Sequence, residues 1–392
     1  MTLPPTTNFE NEFAADVPDQ PAPPPLPPPP PPPPPVKFPL AWLLEHASTP
    51  IRYRALTEVA ELELAQDARA SALPYTYRPA LLLAVSQAAD GTWSHTMLTL
   101  PGPRATHFEG VGTINAVTRL LEYGWDRNSP PLMQARRILF RLLAEDDDPE
   151  YLYEFGGKAA PDDEMVHRGR GILREAAAAA LAQAGYQGDP RLRGAARRIL
   201  DRINEFLRSP LVEKPWIRVG NQHVLAPEAA PPSIYALKML AYMPLFCTEH
   251  AEVMDRIYAW LSQPLPRQEV VQLLGHRIAT QAHLVMGDQL PHRNAADADV
   301  VSALAWLELV ARLGFLKRND NWSKLFERFL EDRDAGAVWH PHKGMQTVRT
   351  TNPFVWPMYP LEEELAGDER WTDVTFRLGL IARLAGRSIE LV

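Results

Sequence analysis

The chain has 392 residues, of which 46% are apolar, and this is enough for a substantial hydrophobic core. Its formal net charge of -8 at pH 7 does not favour a nucleic-acid-binding surface. The only cysteine, Cys247, excludes an internal disulfide and makes a reducing, cytoplasmic location the expectation. The sequence has no continuous apolar run of transmembrane length and no secretory signal pattern, so we expect neither.

Residues 1–37 are predicted to form a disordered, acidic and proline-rich arm. The first 40 residues contain 17 of the 40 prolines, including an unbroken run from Pro27 to Pro35. Such a run forms an extended polyproline II helix of about 3.1 Å per residue without a packed core. Ahead of it, Phe9 and Phe13 lie four residues apart among acidic residues, a spacing that suits one helical turn docked on a partner protein. A disordered tail and a partner-binding arm are both open interpretations.

From Phe38 onwards, apolar residues recur at helical spacing, which predicts a second, folded domain over residues 38–392. The predicted helices span roughly residues 51–64, 79–86, 112–123, 131–144, 171–184, 190–208, 233–242, 251–261, 270–286, 300–313, 322–330 and 371–384. We find no alternating strand pattern of useful length, so the predicted fold class is all-α.

Two of the helical pairs are copies of one unit. In each copy an apolar helix ends at a glycine followed by an aromatic residue, Gly124-Trp125 and Gly185-Tyr186, and the sequence Ala-Arg-Arg-Ile-Leu follows at 135–139 and 196–200. Both landmarks recur at an offset of 61 residues. A fixed period predicts stacked helical hairpins that bury their apolar faces on one another. Tetratricopeptide, ankyrin and armadillo units are too short for this period.

The stretch from Gln87 to Trp93 reads Gln-x-x-x-Gly-x-Trp, the core of the QW motif of squalene and hopene cyclases. Together with the hairpins between residues 112 and 330, it resembles the α/α-toroid superfamily of terpenoid cyclases and protein prenyltransferases. The stretch from Trp42 to Arg54 is similar to the N-terminal signature of bacterial squalene-cyclase-like proteins of unassigned function. The resemblance implies an α/α toroid of five to six helical hairpins, in which inner helices surround a central cavity.

The resemblance also implies where a ligand would bind. In that fold the residues at the start of the inner helices line the cavity mouth, and two predicted starts combine a histidine with Gly-x-Gly. We therefore expect the following residues to shape the mouth: His107, Glu109, His167, Arg168 and Arg170. His276 and His283 lie seven residues apart on one face of the predicted helix 270–286. That face either lines a polar part of the cavity or packs within the core.

The sequence Asp297-Ala-Asp299-Val300 resembles the Asp-x-Asp-Asp motif of class II terpene cyclases. In that family the middle aspartate protonates an alkene or an epoxide. The resemblance implies that Asp299 is the catalytic acid and that Asp297 supports it, although Val300 stands in place of the last aspartate. Such chemistry needs a carboxyl group that stays protonated. The alternative is that both carboxylates cap the helix that follows.

Two functions from different classes remain open. The first is a terpenoid-cyclase-like protein that binds an apolar ligand, with an isoprenoid as the candidate, with or without acid-initiated isomerase or lyase chemistry. The second is a non-catalytic scaffold with a partner-binding arm, which the incomplete acid motif and the single QW core favour. Toroids of similar shape in carbohydrate-active enzymes are a third possibility. We expect no cofactor and no metal, because Cys247 and His250 are only two of the three or four ligands that zinc needs.

Overall fold

The structure is a computed structural model of the chain. It describes residues 33–64, 67–102, 104–144, 164–266, 268–291, 293–341, 350, 352–362 and 371–392. Most of the predicted arm, residues 1–32, therefore lies outside the described residues. The compact unit runs from Pro35 to Val392. Val36 and Lys37, which the predicted boundary places in the arm, belong to its first strand.

Helices make up most of the described residues. Their bounds are α1 Leu40–His46, α2 Thr49–Arg54, α3 Ala68–Ala72, α4 Arg78–Val85, α5 Thr113–Glu122, α6 Pro130–Leu142, α7 Glu164–Gln183, α8 Pro190–Arg208, α9 Ile234–Ala241, α10 Pro244–Glu249, α11 Ala251–Leu261, α12 Arg293–Ala298, α13 Val300–Arg312, α14 Asp320–Glu331 and α15 Thr372–Leu384. A π-helical turn, Ala55–Val59, continues α2. Each predicted helix except 270–286 has a counterpart here.

The all-α prediction is wrong in part, because the described residues also form two small sheets. The strands are β1 Val36–Phe38, β2 Trp216–Val219, β3 Gln222–Leu225, β4 Val271–Leu274, β5 Arg277–Thr280 and β6 Ile389–Leu391. Strands β1 and β6 pair in parallel. The other four form one sheet in the order β2-β3-β4-β5, in which two antiparallel hairpins join through the parallel pair of β3 and β4.

The predicted helix 270–286 is instead the β4–β5 hairpin, with Gly275 and His276 in its turn. A strand of four residues is too short to show a clear alternation of apolar and polar residues. Here a polar residue on the buried face obscures that alternation further. Gln272 is fully buried, and its Nε2 donates hydrogen bonds to the carbonyl oxygens of Ala226 and Ala229, both at 2.8 Å. A buried glutamine with satisfied donors therefore stands where an apolar residue would have indicated a strand.

Among the described helices of eight or more residues, five are buried over at least half their length, and we call them the inner helices: α5, α7, α9, α13 and α15. Along the chain each packs on the next, and α15 packs on the turn that continues α2. Arg54 at the end of α2 then contacts Glu122 at the end of α5. Helices α6, α8, α11 and α14 are buried on one face only, as expected for helices that cover a core.

The repeated glycine marks the ends of inner helices. Gly124, Gly185 and Gly314 follow α5, α7 and α13 with φ values of +83°, +81° and +75°. In each case the glycine N–H donates to the carbonyl three residues back, and the aromatic residue that follows donates to the carbonyl five residues back. This is a Schellman motif, which favours glycine because of its left-handed conformation. The predicted period of 61 residues is thus the distance between two such helix ends.

The QW-like stretch joins three elements. Gln87 Nε2 donates to the carbonyl oxygens of Gly91 (3.0 Å) and Pro131 (2.9 Å), the latter at the start of α6. Trp93 is 1% exposed, and its Nε1 donates to the Leu83 carbonyl in α4 at 2.8 Å. These contacts hold the loop before α5 against its neighbours.

Candidate functional site

A cavity of about 290 Å³ lies among α5, α7, α9 and α13. Its apolar lining includes Ile234, Leu284, Val285, Leu290, Trp306, Leu309, Phe354, Val355 and Met358. Its polar lining includes Thr118, Glu122, Gln183, Lys238, Tyr242, His283, Asp299, Ser302, Glu308, Arg312 and Asn352. The cavity therefore has both an apolar wall and charged groups.

Four polar lining residues lie at the ends of inner helices, three of them at equivalent positions. Glu122, Gln183 and Arg312 each stand two residues before the glycine that follows α5, α7 or α13, and Tyr242 directly follows α9. We call these four residues the polar layer. The polar layer also lines a second cavity of about 490 Å³ and so lies between the two cavities.

Another set of lining residues lies one helical turn before the polar layer. Thr118, Lys238 and Glu308 each precede a member of that layer by four residues, which places them on the same helix face. The repeat therefore sets two successive levels of polar side chains against the cavity.

Arg377 of α15 joins two carboxylates at this site. Its Nη1 lies 2.8 Å from Glu308 Oε2, and its Nη2 lies 2.7 Å from Glu122 Oε2. All three side chains are at most 1% exposed. The same Nη2 also donates to the Met358 carbonyl at 2.9 Å.

Each carboxylate has a second arginine. Arg54 Nη1 lies 2.5 Å from Glu122 Oε2, and Arg312 Nη2 lies 2.9 Å from Glu308 Oε1. We call Arg54, Glu122, Glu308, Arg312 and Arg377 the buried ion cluster.

The arginines of the buried ion cluster change the pKa values of its carboxylates. Burial alone would raise the pKa of Glu122, but Arg54 and Arg377 outweigh it and lower this pKa to about 2. Burial would also raise the pKa of Glu308, but Arg377 and Arg312 outweigh it and hold this pKa below its usual value. Both carboxylates are ionised at neutral pH.

Lys238 is a buried cation with a different kind of partner. Among the described residues its hydrogen-bond acceptor is the Phe354 carbonyl oxygen, 2.6 Å from Nζ, and not a carboxylate. Burial lowers the pKa of Lys238 to about 8, although the charges of Glu122 and Glu308 raise it. Its side chain keeps some accessible surface because it lines the cavity.

The two predicted acids lie in different surroundings. Asp299 lines the cavity and caps α13: its Oδ1 accepts from Ser302 N at 2.9 Å and its Oδ2 from Ser302 Oγ at 2.8 Å. The predicted helix cap is therefore confirmed for Asp299. Asp297 is exposed on α12, with Oδ1 at 2.5 Å from Arg328 Nη2, and it is not among the described residues that line the cavity.

The residues predicted at the cavity mouth lie elsewhere. His107 and Glu109 are exposed in the loop before α5, and His107 has a φ of +54°. His167, Arg168 and Arg170 lie within the first two turns of α7, because this helix includes Glu164 and does not begin at the predicted Gly171. Arg168 Nη2 donates to the Pro227 carbonyl at 2.8 Å. The five residues His107, Glu109, His167, Arg168 and Arg170 are all absent from the described cavity lining.

The two histidines of the predicted helix 270–286 lie in different places in the structure. His276 is exposed in the turn between β4 and β5, so its predicted place on a helix face is wrong. His283 follows β5 and lines the cavity, as the predicted polar lining requires. Burial lowers the pKa of His283 to about 4, so it is neutral at pH 7.

The buried ion cluster and Lys238 were not predicted from the sequence. A signal was present, because Glu122 and Arg312 stand at one fixed offset from the recurring glycine, and Glu308 stands four residues before Arg312. Arg54 and Arg377 have no such landmark.

The part of the chain that the structure describes contains no group of three or more His, Cys, Asp or Glu side chains that could hold a metal ion. Cys247 donates its thiol hydrogen to the Leu240 carbonyl at 3.3 Å. None of the described helices is both long and apolar enough to cross a membrane. Comparison of the chain with models of known protein families, with curated proteins and with solved structures gives no match.

Proposed function

We propose that the protein binds a small, largely apolar molecule with a polar head in the cavity among its inner helices, and that these helices belong to an α/α toroid. The successive packing of the inner helices, with Arg54 of α2 in contact with Glu122 of α5, supports the toroid. The observation that carries the binding proposal is the cavity itself, in which an apolar wall faces charged groups. Ligand sites typically combine an apolar lining with a few polar groups that fix orientation.

The size of the cavity limits the ligand. An apolar cavity of about 150 Å³ accommodates benzene, so about 290 Å³ suits roughly a dozen non-hydrogen atoms. A ten-carbon isoprenoid alcohol fits this limit, whereas a thirty-carbon chain exceeds it. The proposed ligand is therefore small.

Acid-initiated chemistry at Asp299 has less support than binding. Asp299 does line the cavity, where an acid would have to be. However, each of its two oxygens accepts a hydrogen bond from Ser302, so the side chain already serves as the cap of α13.

Titration of the full chain with geraniol, a ten-carbon isoprenoid alcohol, tests the binding proposal. Ala303 is fully buried and lines the cavity, so Ala303→Met places three more heavy atoms near the ligand space. We expect calorimetry to show geraniol binding by the wild type and roughly tenfold or greater weakening by Ala303→Met, a loss of at least about 1.4 kcal/mol.

Ala251→Met, at an exposed position of α11, is the matched control and should bind as the wild type does. No geraniol binding by the wild type, or equal binding by a folded Ala303→Met variant, contradicts the proposal. Mass spectrometry of the same mixtures tests for reaction: conversion by the wild type but not by Asp299→Asn would add catalysis to binding.

A further inference from the structure

We infer that the ligand of this cavity is a carboxylic acid whose carboxylate binds Lys238 and whose apolar body, of about ten carbons, lies along the apolar wall. The inference rests on the proposed function and names the chemical class of its ligand. It starts from the one cationic lining residue whose described partner is a carbonyl group.

Lys238 has hydrogen-bonding capacity left for a ligand. A lysine ammonium carries three N–H donors. Its partner among the described residues is the Phe354 carbonyl oxygen, at 2.6 Å. Since the side chain lines the cavity, a bound carboxylate can accept from the other donors without displacing that contact.

The nearby carboxylates are occupied by arginines. Glu122 pairs with Arg54 and Arg377, and Glu308 pairs with Arg312 and Arg377. Arg54 also binds Glu58, with Nε 2.5 Å from Oε1, so three arginines serve three glutamates. Lys238 has no counter-ion of its own in this arrangement.

Two other acids near the site are also engaged. Asp299 is held by Ser302, and Asp373 Oδ1 lies 3.7 Å from Arg377 Nε. Burying a cation without a counter-ion is unfavourable, and a ligand carboxylate would relieve that penalty.

A second donor at the cavity, an indole N–H, has no acceptor among the described residues. Trp306 lines the cavity, and its buried Nε1 has no hydrogen-bond partner within the described part of the chain. Buried donors are almost always satisfied in folded proteins. A head group with two acceptor oxygens suits a cavity that has an ammonium and an unpaired indole N–H. The apolar wall then accommodates the hydrocarbon body.

Decanoate and decanol test the inference because they share a chain length and differ in the head group. Calorimetric titration of the full chain at pH 7 should show decanoate binding at least tenfold more tightly than decanol. Lys238→Met replaces the ammonium with an apolar group of similar length, and we expect it to weaken decanoate binding at least tenfold and to abolish the preference for decanoate over decanol. Lys324→Met removes an exposed lysine of α14 and should keep the wild-type preference.

Failure of the inference can be distinguished from failure of the proposed function. If decanoate and decanol bind the wild type equally well, or if Lys238→Met keeps the preference for decanoate, Lys238 does not hold a carboxylate and only the inference is wrong. If, in addition, geraniol does not bind the wild type, the proposed function is wrong as well. The comparison of the two probes on the wild type does not depend on the folding of any variant.

Discussion

Lys238 differs from the arginines around it in how its charge is balanced. Arg54, Arg312 and Arg377 each contact a glutamate, whereas the described partner of Lys238 is a peptide carbonyl. Burial lowers the pKa of Lys238 from 10.5 to about 8. A decrease of this size corresponds to roughly 3 kcal/mol of stability lost at neutral pH. The same residue that suits an anionic ligand therefore destabilises the ligand-free protein.

We predict that Lys238→Met makes the ligand-free protein more stable at pH 7. Between about pH 8 and 10.5 the unfolded chain keeps the lysine proton and the folded chain has released it. Wild-type stability therefore rises with pH in this interval, and the advantage of the variant shrinks. Urea unfolding of both proteins at pH 7 and pH 10 measures the difference. Equal stability at pH 7 would mean that the lysine charge is compensated in the folded protein.

At the scale of secondary-structure elements, the ends of the inner helices share a conformation but not their surroundings. Gly124 and Gly314 both have positive φ, at +83° and +75°. A Cβ atom at position 124 would lie 2.7 Å from Tyr53 Cδ1, whereas no atom of the described residues, apart from the adjoining chain, lies within 4 Å of one at position 314. The backbone requires glycine at both ends, and packing requires it at only one.

We expect Gly314→Ala to lower the free energy of unfolding by about 1 kcal/mol, the cost of placing a Cβ atom in the left-handed region. Gly124→Ala should cost about 1–3 kcal/mol more, because the tyrosine ring must also move. Chemical denaturation of the two variants and the wild type measures both terms. Equal costs would show that Tyr53 moves aside freely, and that the helix end at Gly124 is held by its backbone conformation alone.

These elements also show which parts of the fold the sequence predicted. Helices with a long apolar period, such as α8 and α11, were predicted with the bounds that the structure gives them. The β4–β5 hairpin was not, because its strands have four residues each and Gln272 occupies a buried position. The start of α7 was predicted at least seven residues late, because Gly171 was interpreted as its beginning although it lies within the helix. A prediction that depends on the local spacing of apolar residues fails where a tertiary contact satisfies the hydrogen bonds of a buried polar residue.

At the scale of the whole molecule, the buried ion cluster joins segments that are far apart in the sequence. Arg377 and Glu122 are separated by 255 residues, and Arg54 and Glu122 by 68. The candidate site residues were identified from local motifs, and of these only Asp299 and His283 are among the described residues that line the cavity. Charges that four separate helices bring together have no local motif, because only the packing of α2, α5, α13 and α15 makes them neighbours.

We predict that Arg377→Met is far more destabilising than the loss of an exposed arginine. It leaves Glu122 and Glu308 buried with one arginine each, and breaking a buried ion pair costs about 3–5 kcal/mol. Arg193→Met is the control, because Arg193 pairs with Glu249 at 2.6 Å with both side chains more than one-third exposed, and its loss should cost at most about 1 kcal/mol.

The pH dependence of the difference in cost between Arg377→Met and Arg193→Met identifies the cause of that difference. The pKa of Glu122 is 4.5 in the reference state and about 2 in the folded protein. Its contribution to stability is therefore complete above pH 4.5 and is lost as the pH falls towards 2. Urea unfolding at pH 7 and pH 3 should show the cost of Arg377→Met shrinking at the lower pH, while that of Arg193→Met stays small at both. The guanidinium carbon of Arg377 also lies 4.8 Å from the ring centroid of Tyr359 and 5.6 Å from that of Phe376. If the cost of Arg377→Met does not change with pH, the effect comes from the packing of the arginine side chain on these rings and not from the carboxylates.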